Sequence, residues 1–421
     1  MKLKLYPFIL SVFVLTGFGL TSCNKERKLA LEEGKWRGIF HIKGAEIPFN
    51  FSVEADTVGV VKVYLTNAEE RAVLDGIRYE RDSVIIDIEV YDAFLIGKLS
   101  KEGLSGYFRK TQGGKRGIVF DASNGNSTRF DRKAESNSAN LDGTWSVNLI
   151  NEKDEKRYTV GLLKQQGQDI TGTILTTTGD YRYLQGIVDG DSLKLSGFSG
   201  SSPSLLLGKL QDNIHLSGEF ISPGGRVRLE AVRSDTAKLP DPYSLTYLNK
   251  GYDKLSFSFP DLDGKSVTLE DEKYKGKVVI VTIQGTWCPN CVDEAAFLSP
   301  WYDENRGRGV EIIGLSFERK DDPEFARERI SKFIKRFDIK YDILFAGIAD
   351  KKKAGEKLPA LNAVLSFPTT ILIDRKGKVR KIHTGYTGPA TGEHYEEFKK
   401  HFNADVDALL NESGESLALG H

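Results

Sequence analysis

The reading of the fold turns on Val278-Val279-Ile280-Val281-Thr282-Ile283-Gln284-Gly285-Thr286-Trp287-Cys288-Pro289-Asn290-Cys291. The first six residues are apolar or β-branched and predict a buried strand. After the second cysteine, Val292-Asp293-Glu294-Ala295-Ala296-Phe297-Leu298 reads as helix. The two cysteines therefore sit where a strand turns into a helix N-terminus, whose free N–H groups favour an anion. Dithiol chemistry needs an anion, because the thiolate is the nucleophile. A two-residue spacer lets one helical turn bring the second sulfur within bonding reach of the first.

Working outward, the totals bound the problem. A chain of 421 residues suits two or three domains. Charged residues are 28% and cancel to a net +0, which argues against a nucleic-acid-binding protein with its concentrated basic face. Forty-two glycines and 10% aromatics predict many turns and strands. The cysteines number three: Cys23, Cys288 and Cys291. The first follows Lys2, Lys4 and an apolar run from Tyr6 to Leu20. Leu20-Thr21-Ser22-Cys23 resembles the lipobox of a bacterial lipoprotein signal, which implies cleavage before Cys23 and diacylglyceryl attachment to its sulfur. Residues 1–22 are then the signal peptide and 23–33 a charged tether. An ordinary secretory signal or an uncleaved anchor are the alternatives.

That places the mature chain outside the cytoplasm, where thiols meet oxidants. With Cys23 acylated, only the Cys288–Cys291 pair remains, so a structural disulfide framework is excluded. A zinc site needs about four ligands. The histidines nearest in sequence are His215 and His383, far from the motif, so no metal site is expected.

Upstream, residues 34–132 read as short strands between turns, among them Trp36–Ile42, Pro48–Val53, Val58–Leu65, Ser83–Val90, Ala93–Leu99, Leu104–Lys110 and Gly117–Asp121. Several alternate apolar and polar, as a half-buried strand does. A small-polar linker at Lys133–Asn140 follows, and then the pattern recurs over 141–233. Gly34-Lys35-Trp36 corresponds to Gly143-Thr144-Trp145, and Leu104-Ser105-Gly106-Tyr107-Phe108 to Leu216-Ser217-Gly218-Glu219-Phe220. Asp82-Ser83-Val84 and Leu95-Ile96-Gly97-Lys98-Leu99 find partners at Asp191-Ser192-Leu193 and Leu206-Leu207-Gly208-Lys209-Leu210. Four landmarks in one order indicate a duplicated all-β region. About eight strands per copy suffice for an up-and-down barrel, and a sandwich is the alternative. Leu141-Asp142-Gly143-Thr144-Trp145 also resembles the start of lipocalin- and avidin-like barrels. These copies are expected to serve as spacer or docking modules, because fold does not imply function.

Residues 234–253 form a linker stiffened by Leu239-Pro240-Asp241-Pro242. From 254 to 413 strands and helices alternate, which predicts a mostly parallel sheet of α/β type. Predicted here are an opening strand or hairpin near Ser256–Pro260 and Ser266–Leu269, and strands at Val310–Phe317 and Tyr341–Phe345. A helix is expected from Asp322-Pro323 and helical pieces over Lys351–Leu365. A hairpin of Thr369–Asp374 with Lys378–His383 and a closing helix at Gly392–Asn411 complete the domain.

With these residues in hand, 254–411 resembles the thioredoxin fold, and within it the extracytoplasmic TlpA/ResA-like thioredoxins. The matching pieces are Gly285-Thr286-Trp287-Cys288-Pro289-Asn290-Cys291, Glu294, and Phe367-Pro368-Thr369-Thr370-Ile371-Leu372-Ile373-Asp374. Gly388-Pro389-Ala390-Thr391-Gly392 looks like versions from Bacteroidota-type lipoproteins. The resemblance implies that Cys288 is the nucleophile and Cys291 the resolving thiol, with no cofactor beyond their redox-active disulfide. It implies a cis-proline at Pro368 and a groove for substrate bordered by Trp287, Pro289, Asn290, Phe367 and Thr369. It assigns proton handling to Glu294, for which the alternative is a first-turn glutamate that complements the helix dipole. Many thioredoxins carry a buried Asp six residues before the first Cys. Thr282 stands there, which removes one proton acceptor and raises the weight on Glu294. Gln284 and Gly285 replace the commoner aromatic-Ala pair, and Trp287 either covers the dithiol or packs.

The expected function is a membrane-anchored thiol–disulfide oxidoreductase that reduces extracytoplasmic proteins and draws on a membrane electron donor of thiol–disulfide type. Its expected place is the bacterial cell envelope, lipid-anchored and facing the periplasm. Asn24, unlike the Asp retention signal of enteric bacteria, leans toward the outer membrane. The alternatives are a peroxiredoxin-like peroxidase and a ligand-binding lipoprotein whose β-domains carry the primary role.

Overall fold

The computed structural model describes residues 30–74, 76–111, 117–132 and 138–412. The signal, Cys23, most of the tether and much of the Lys133–Asn140 linker lie outside them. Among the described residues no helix is long and apolar enough to cross a membrane.

Among the described residues the first copy holds nine strands where about eight are expected: β1 (Gly34–Ile42), β2 (Ala45–Ala55), β3 (Val61–Asn67), β4 (Glu70–Val73), β5 (Gly76–Glu80), β6 (Ser83–Ile88), β7 (Ala93–Leu99), β8 (Leu104–Lys110) and β9 (Ile118–Asn124). They run antiparallel in the order β4-β3-β2-β1-β9-β8-β7-β6-β5. Alternate residues of β1, namely Trp36, Phe40 and Ile42, face the interior. Between them Gly38 leaves room for the Phe49 ring, because a Cβ there would lie 2.2 Å from that ring. The strands β4 and β5 are edges, so this curved sheet is a barrel with an open seam.

The second copy repeats the order with β10 (Gly143–Ile150), β11 (Lys156–Gln166), β12 (Asp169–Thr176), β13 (Gly179–Asp180), β14 (Leu184–Asp189), β15 (Ser192–Gly197), β16 (Ser204–Leu210), β17 (His215–Ser222) and β18 (Gly225–Arg233). Here β12 pairs with both β11 and β14, so the ring closes and removes its edges. Two barrels, one open and one closed, replace the sandwich alternative.

The open seam is filled from outside. Phe198, just after β15, enters the first barrel and meets Phe40, Phe49 and Phe108 edge-to-face at centroid distances of 4.7, 5.3 and 5.1 Å. Beside it the buried Arg129 donates to the carbonyls of Thr66 (2.6 Å) and Ser196 (2.9 Å) and to the side-chain oxygens of Asn50 (2.8 Å) and Asn67 (3.1 Å). Each nitrogen of its guanidinium is thus hydrogen-bonded where water is excluded.

The C-terminal domain opens with a short hairpin, β19 (Phe259–Pro260) and β20 (Ser266–Val267). Its main sheet has the order β23-β22-β21-β24-β25. Central β21 (Val278–Gln284) is buried along its whole length, as a strand covered on both faces must be. It lies parallel to β22 (Val310–Glu318), which lies parallel to β23 (Asp342–Ile348), while β24 (Thr369–Ile373) and β25 (Val379–Thr384) are antiparallel. The sheet is therefore mixed rather than mostly parallel, because the predicted C-terminal hairpin supplies two of its five strands. Helices α1 (Pro289–Asn305), α2 (Pro323–Phe337), α3 (Lys351–Lys357) and α4 (Glu393–Asn411) cover it. Asp322 caps α2 as the sequence predicts, accepting from the N–H groups of Glu324 and Phe325. Helical structure between Lys351 and Leu365 is confined to α3.

Truncating the plug, Phe198→Ala, removes three edge-to-face contacts across the seam. The expected cost is about 3–5 kcal/mol, read as a lower midpoint in denaturant unfolding.

Candidate functional site

The site begins where β21 ends. Cys288 is the N-cap of α1 and Pro289 its first residue, a position where the missing N–H of proline costs nothing. The Cys288 N–H donates to the Gly285 carbonyl at 3.1 Å, which closes the turn. Trp287 packs back on this turn and donates from Nε1 to the Phe317 carbonyl at 2.9 Å. Glycine is required at 285, since a Cβ there would lie 2.4 Å from Trp287 Nε1. The turn is held from below by Glu318, at the end of β22. Its buried carboxylate accepts from the Thr286 N–H (3.0 Å), Thr286 Oγ1 (2.9 Å) and Ser316 Oγ (2.7 Å). Burial raises its pKa against the pull of those donors.

Both cysteines are free and buried. Cys288 Sγ donates to the Phe367 carbonyl at 3.1 Å. The Phe367–Pro368 peptide is cis. Cys291 is wholly enclosed. Burial, the hydrogen bond to Cys288, and the charges of Cys288 and Glu294 push its thiol well above the ordinary range.

Glu294 lies one turn further along α1 and is 2% exposed. Thr282 Oγ1 donates to one carboxylate oxygen and Thr370 Oγ1 to the other, each at 2.5 Å. The two threonines face each other across the β21–β24 pair, so the sheet register itself builds this clamp. Burial pushes Glu294 up to about 7, and the two hydroxyls pull in the opposite direction. Thr282 therefore does more than vacate the position of an acid: it orients another one.

The remaining groove residues are engaged within the molecule. The Thr369 hydroxyl is buried and donates to the Ser366 carbonyl at 2.9 Å. Trp287 meets Phe367 edge-to-face at 5.7 Å and carries the Arg319 guanidinium 4.6 Å from its ring centroid. Asn290 faces the second barrel. Its amide, oriented to satisfy both partners, accepts from the Asp180 N–H (2.8 Å) and donates to the Asp180 carbonyl (3.2 Å).

This contact belongs to a hairpin formed by β12, β13 and the Thr177-Thr178 turn, laid against the dithiol. Ser366 Oγ donates to the Thr178 carbonyl at 3.0 Å, and the Gly388 N–H to Asp180 Oδ2 at 2.8 Å. Arg182 then joins all three domains. It reaches Glu70 at 2.6 Å and the Tyr91 hydroxyl at 2.8 Å in the first barrel, and Asp293 at 3.0 Å on α1. Burial opposes its charge, but Asp293, Tyr91, Glu70 and Asp180 outweigh burial and hold it ionised. A cleft of about 1140 Å3 runs from Cys288, Pro289, Asn290 and Phe367 into the mouth of the second barrel.

Residues 251–382 match the AhpC/TSA family. The thiol-disulfide oxidoreductase ResA of Bacillus thuringiensis subsp. konkukian is 33% identical over 150 residues, which is 36% of this chain and 76% of that protein. The chain belongs to the ResA family of thiol-disulfide oxidoreductases. ResA of Halalkalibacterium halodurans is 32% identical over 135 residues, 32% of this chain and 68% of that one. A solved thiol-disulfide oxidoreductase from Bacteroides fragilis is 21% identical with a TM-score of 0.27, covering 35% of this chain and 99% of its own. The ResA-like part is the C-terminal domain, and the two barrels lie outside these matches.

Sequence reasoning placed the dithiol, Glu294 and Pro368 in the C-terminal domain, and the fold brings all of them together. It missed Glu318, Thr370, Asp180 and Arg182. Glu318 had a faint signal, a charge closing the apolar run Val310–Phe317. Arg182 had none, because its partners are remote in the chain.

A glutamate whose pKa is raised in the folded state contributes stability below its unfolded pKa of about 4.5 and loses it as pH rises through about 7. Glu294→Gln removes that loss. The variant should gain up to about 3 kcal/mol on the wild type between pH 5 and pH 8.5, measured by denaturant unfolding at both values.

Proposed function

We propose that the protein is a lipid-anchored thiol–disulfide oxidoreductase of the bacterial envelope that reduces disulfides of extracytoplasmic proteins. The observation that carries the reading is the asymmetry of the pair: Cys288 opens onto a cleft, while Cys291 is sealed beside a buried carboxylate. Cys288, as thiolate, attacks one sulfur of a substrate disulfide. The substrate S–S bond breaks, a Cys288–substrate bond forms, and the displaced sulfur leaves as a thiolate that takes up a proton. Cys291 then gives its proton to the Glu294 carboxylate and attacks Cys288 Sγ. The mixed disulfide breaks, Cys288–Cys291 forms, and the substrate has gained two electrons and two protons. A membrane electron donor of thiol–disulfide type restores the dithiol, and no further cofactor takes part. Trp287, Pro289, Phe367 and Pro368 form the wall against which substrate lies. Asn290 lines the cleft while held by Asp180, and Thr369 acts behind the wall through the contact it already makes.

Anchoring is through Cys23, with the domains facing the periplasm, and Asn24 after it favours the outer membrane. The presence of a second thiol one turn from the first supports exchange over peroxide reduction. In the second barrel Trp145, Val188 and Leu195 are fully buried and fill the interior. This counts against an enclosed ligand there and leaves the mouth as its functional end.

The reduction potential of the pair, followed through Trp287 fluorescence, tests the direction. A value near about −270 mV or lower is expected, and one near about −120 mV would make the protein an oxidant and overturn the reading. Cys288→Ser should abolish disulfide reduction, and Cys291→Ser should accumulate the mixed disulfide on a non-reducing gel. Resolution should quicken as pH rises through about 7, when Glu294 ionises. In Glu294→Gln it should be slower by roughly a hundredfold and lose that pH step, seen in single-turnover kinetics.

A further inference from the structure

The cleft that reaches Cys288 is built mostly by the second barrel. Hairpin β12–β13 closes the neighbouring approach, because Asn290 and Ser366 are both bonded to it. A disulfide therefore reaches Cys288 Sγ through the barrel mouth, over an apolar floor that includes Tyr181, Phe220 and Val227.

The rim of that mouth carries more cations than acids, the acids being Glu152, Glu155 and Asp180. Lys43, Lys153 and Arg157 line it and make no ion pair among the described residues. Of its exposed acids, Glu155 is held by Asn151 Nδ2 at 2.7 Å, and Glu152 is the other. The positive charge continues onto the catalytic domain. Lys351 stands within electrostatic reach of both Arg157 and Cys288. Arg319, stacked over Trp287, also senses the Cys288 charge, and Lys110 of the first barrel stands against Arg319. Lys351 and Arg319 of the C-terminal domain thus act on Cys288, with Arg157 of the second barrel beside the first and Lys110 of the first barrel beside the other, and an excess of one sign of charge along a cleft concentrates the opposite sign.

We propose that the barrel mouth and the dithiol form one composite substrate site, which takes a polypeptide segment whose disulfide is flanked by acidic residues. This rests on the exchange reading of Cys288 and names its substrate class. A polypeptide fits better than a small anionic disulfide because the cleft exceeds the roughly 300–1,000 Å3 of small-molecule sites. Its apolar floor also offers contacts that charges alone do not need.

The test uses the full chain, reduced, and two synthetic disulfide loops that differ only in glutamate or lysine flanks. The acidic loop should be reduced faster by at least about tenfold at low ionic strength, and the gap should close near 1 M salt, where screening acts within about 3 Å. Lys153→Glu combined with Arg157→Glu, both at exposed positions, should reverse the preference. Equal rates, a lysine preference, or an acidic preference unchanged in the double variant would overturn the composite site while leaving the exchange reading intact. Oxidised glutathione reduced as fast as the acidic loop would overturn the assignment to a polypeptide. A thioether form of the acidic loop, titrated by calorimetry, separates the two readings. Binding with no turnover of any disulfide retains the site and removes the exchange reading, and no binding removes the site.

Discussion

The buried guanidinium of Arg182 is the constraint on which the arrangement of domains depends. A charge withdrawn from water is tolerable only if it is paired and hydrogen-bonded. Glu70, Tyr91 and Asp293 pair its two terminal nitrogens, while the buried Nε–H has no partner, and they come from two different domains. No single domain could bury Arg182, Glu70 or Asp293 alone without leaving a charge unpaired. The planar fork of arginine can hold several partners at once in fixed directions, which a lysine could not. Pairing thus fixes how the second barrel sits on α1, and with it the path to Cys288.

The dithiol illustrates a related logic on a smaller scale. A resolving thiol must stay protonated until it is needed and then lose its proton quickly. In the proposed exchange, enclosure keeps Cys291 protonated and the Glu294 carboxylate, poised near neutrality, takes its proton. Glu294 is poised because burial and two hydroxyl donors act in opposite directions, and those donors sit in register across adjacent strands. Glu318 supports the same turn from the other side without facing the sulfurs. On the proposed reading one acid handles charge and the other handles shape.

Much of this was legible in the chain because local signals carried it. The run Val278–Ile283, the Asp322-Pro323 cap and the hairpin around Arg375-Lys376-Gly377 each speak through nearest-neighbour chemistry. The duplication was legible because turn residues must recur where strands recur. What escaped reading lies in contacts between distant segments. Phe198 looks like any apolar residue beside a glycine-rich turn, and only the open seam of another barrel gives it a role. Thr282 looked like the loss of an acid because its partner, Thr370, is contributed by a strand that sequence spacing cannot align. In the first copy β4 and β5 escaped reading because they are only four and five residues long.

The open seam of the first barrel also bears on the order of assembly. A chain emerging N-terminus first presents all nine strands of that barrel before Phe198 exists to complete it. Until then its aromatic interior stays uncovered along one side. The nascent first half is thus an unfinished body that waits on its own duplicate, and the two copies must mature as one cooperative unit. Duplication has made the earlier copy the dependent one.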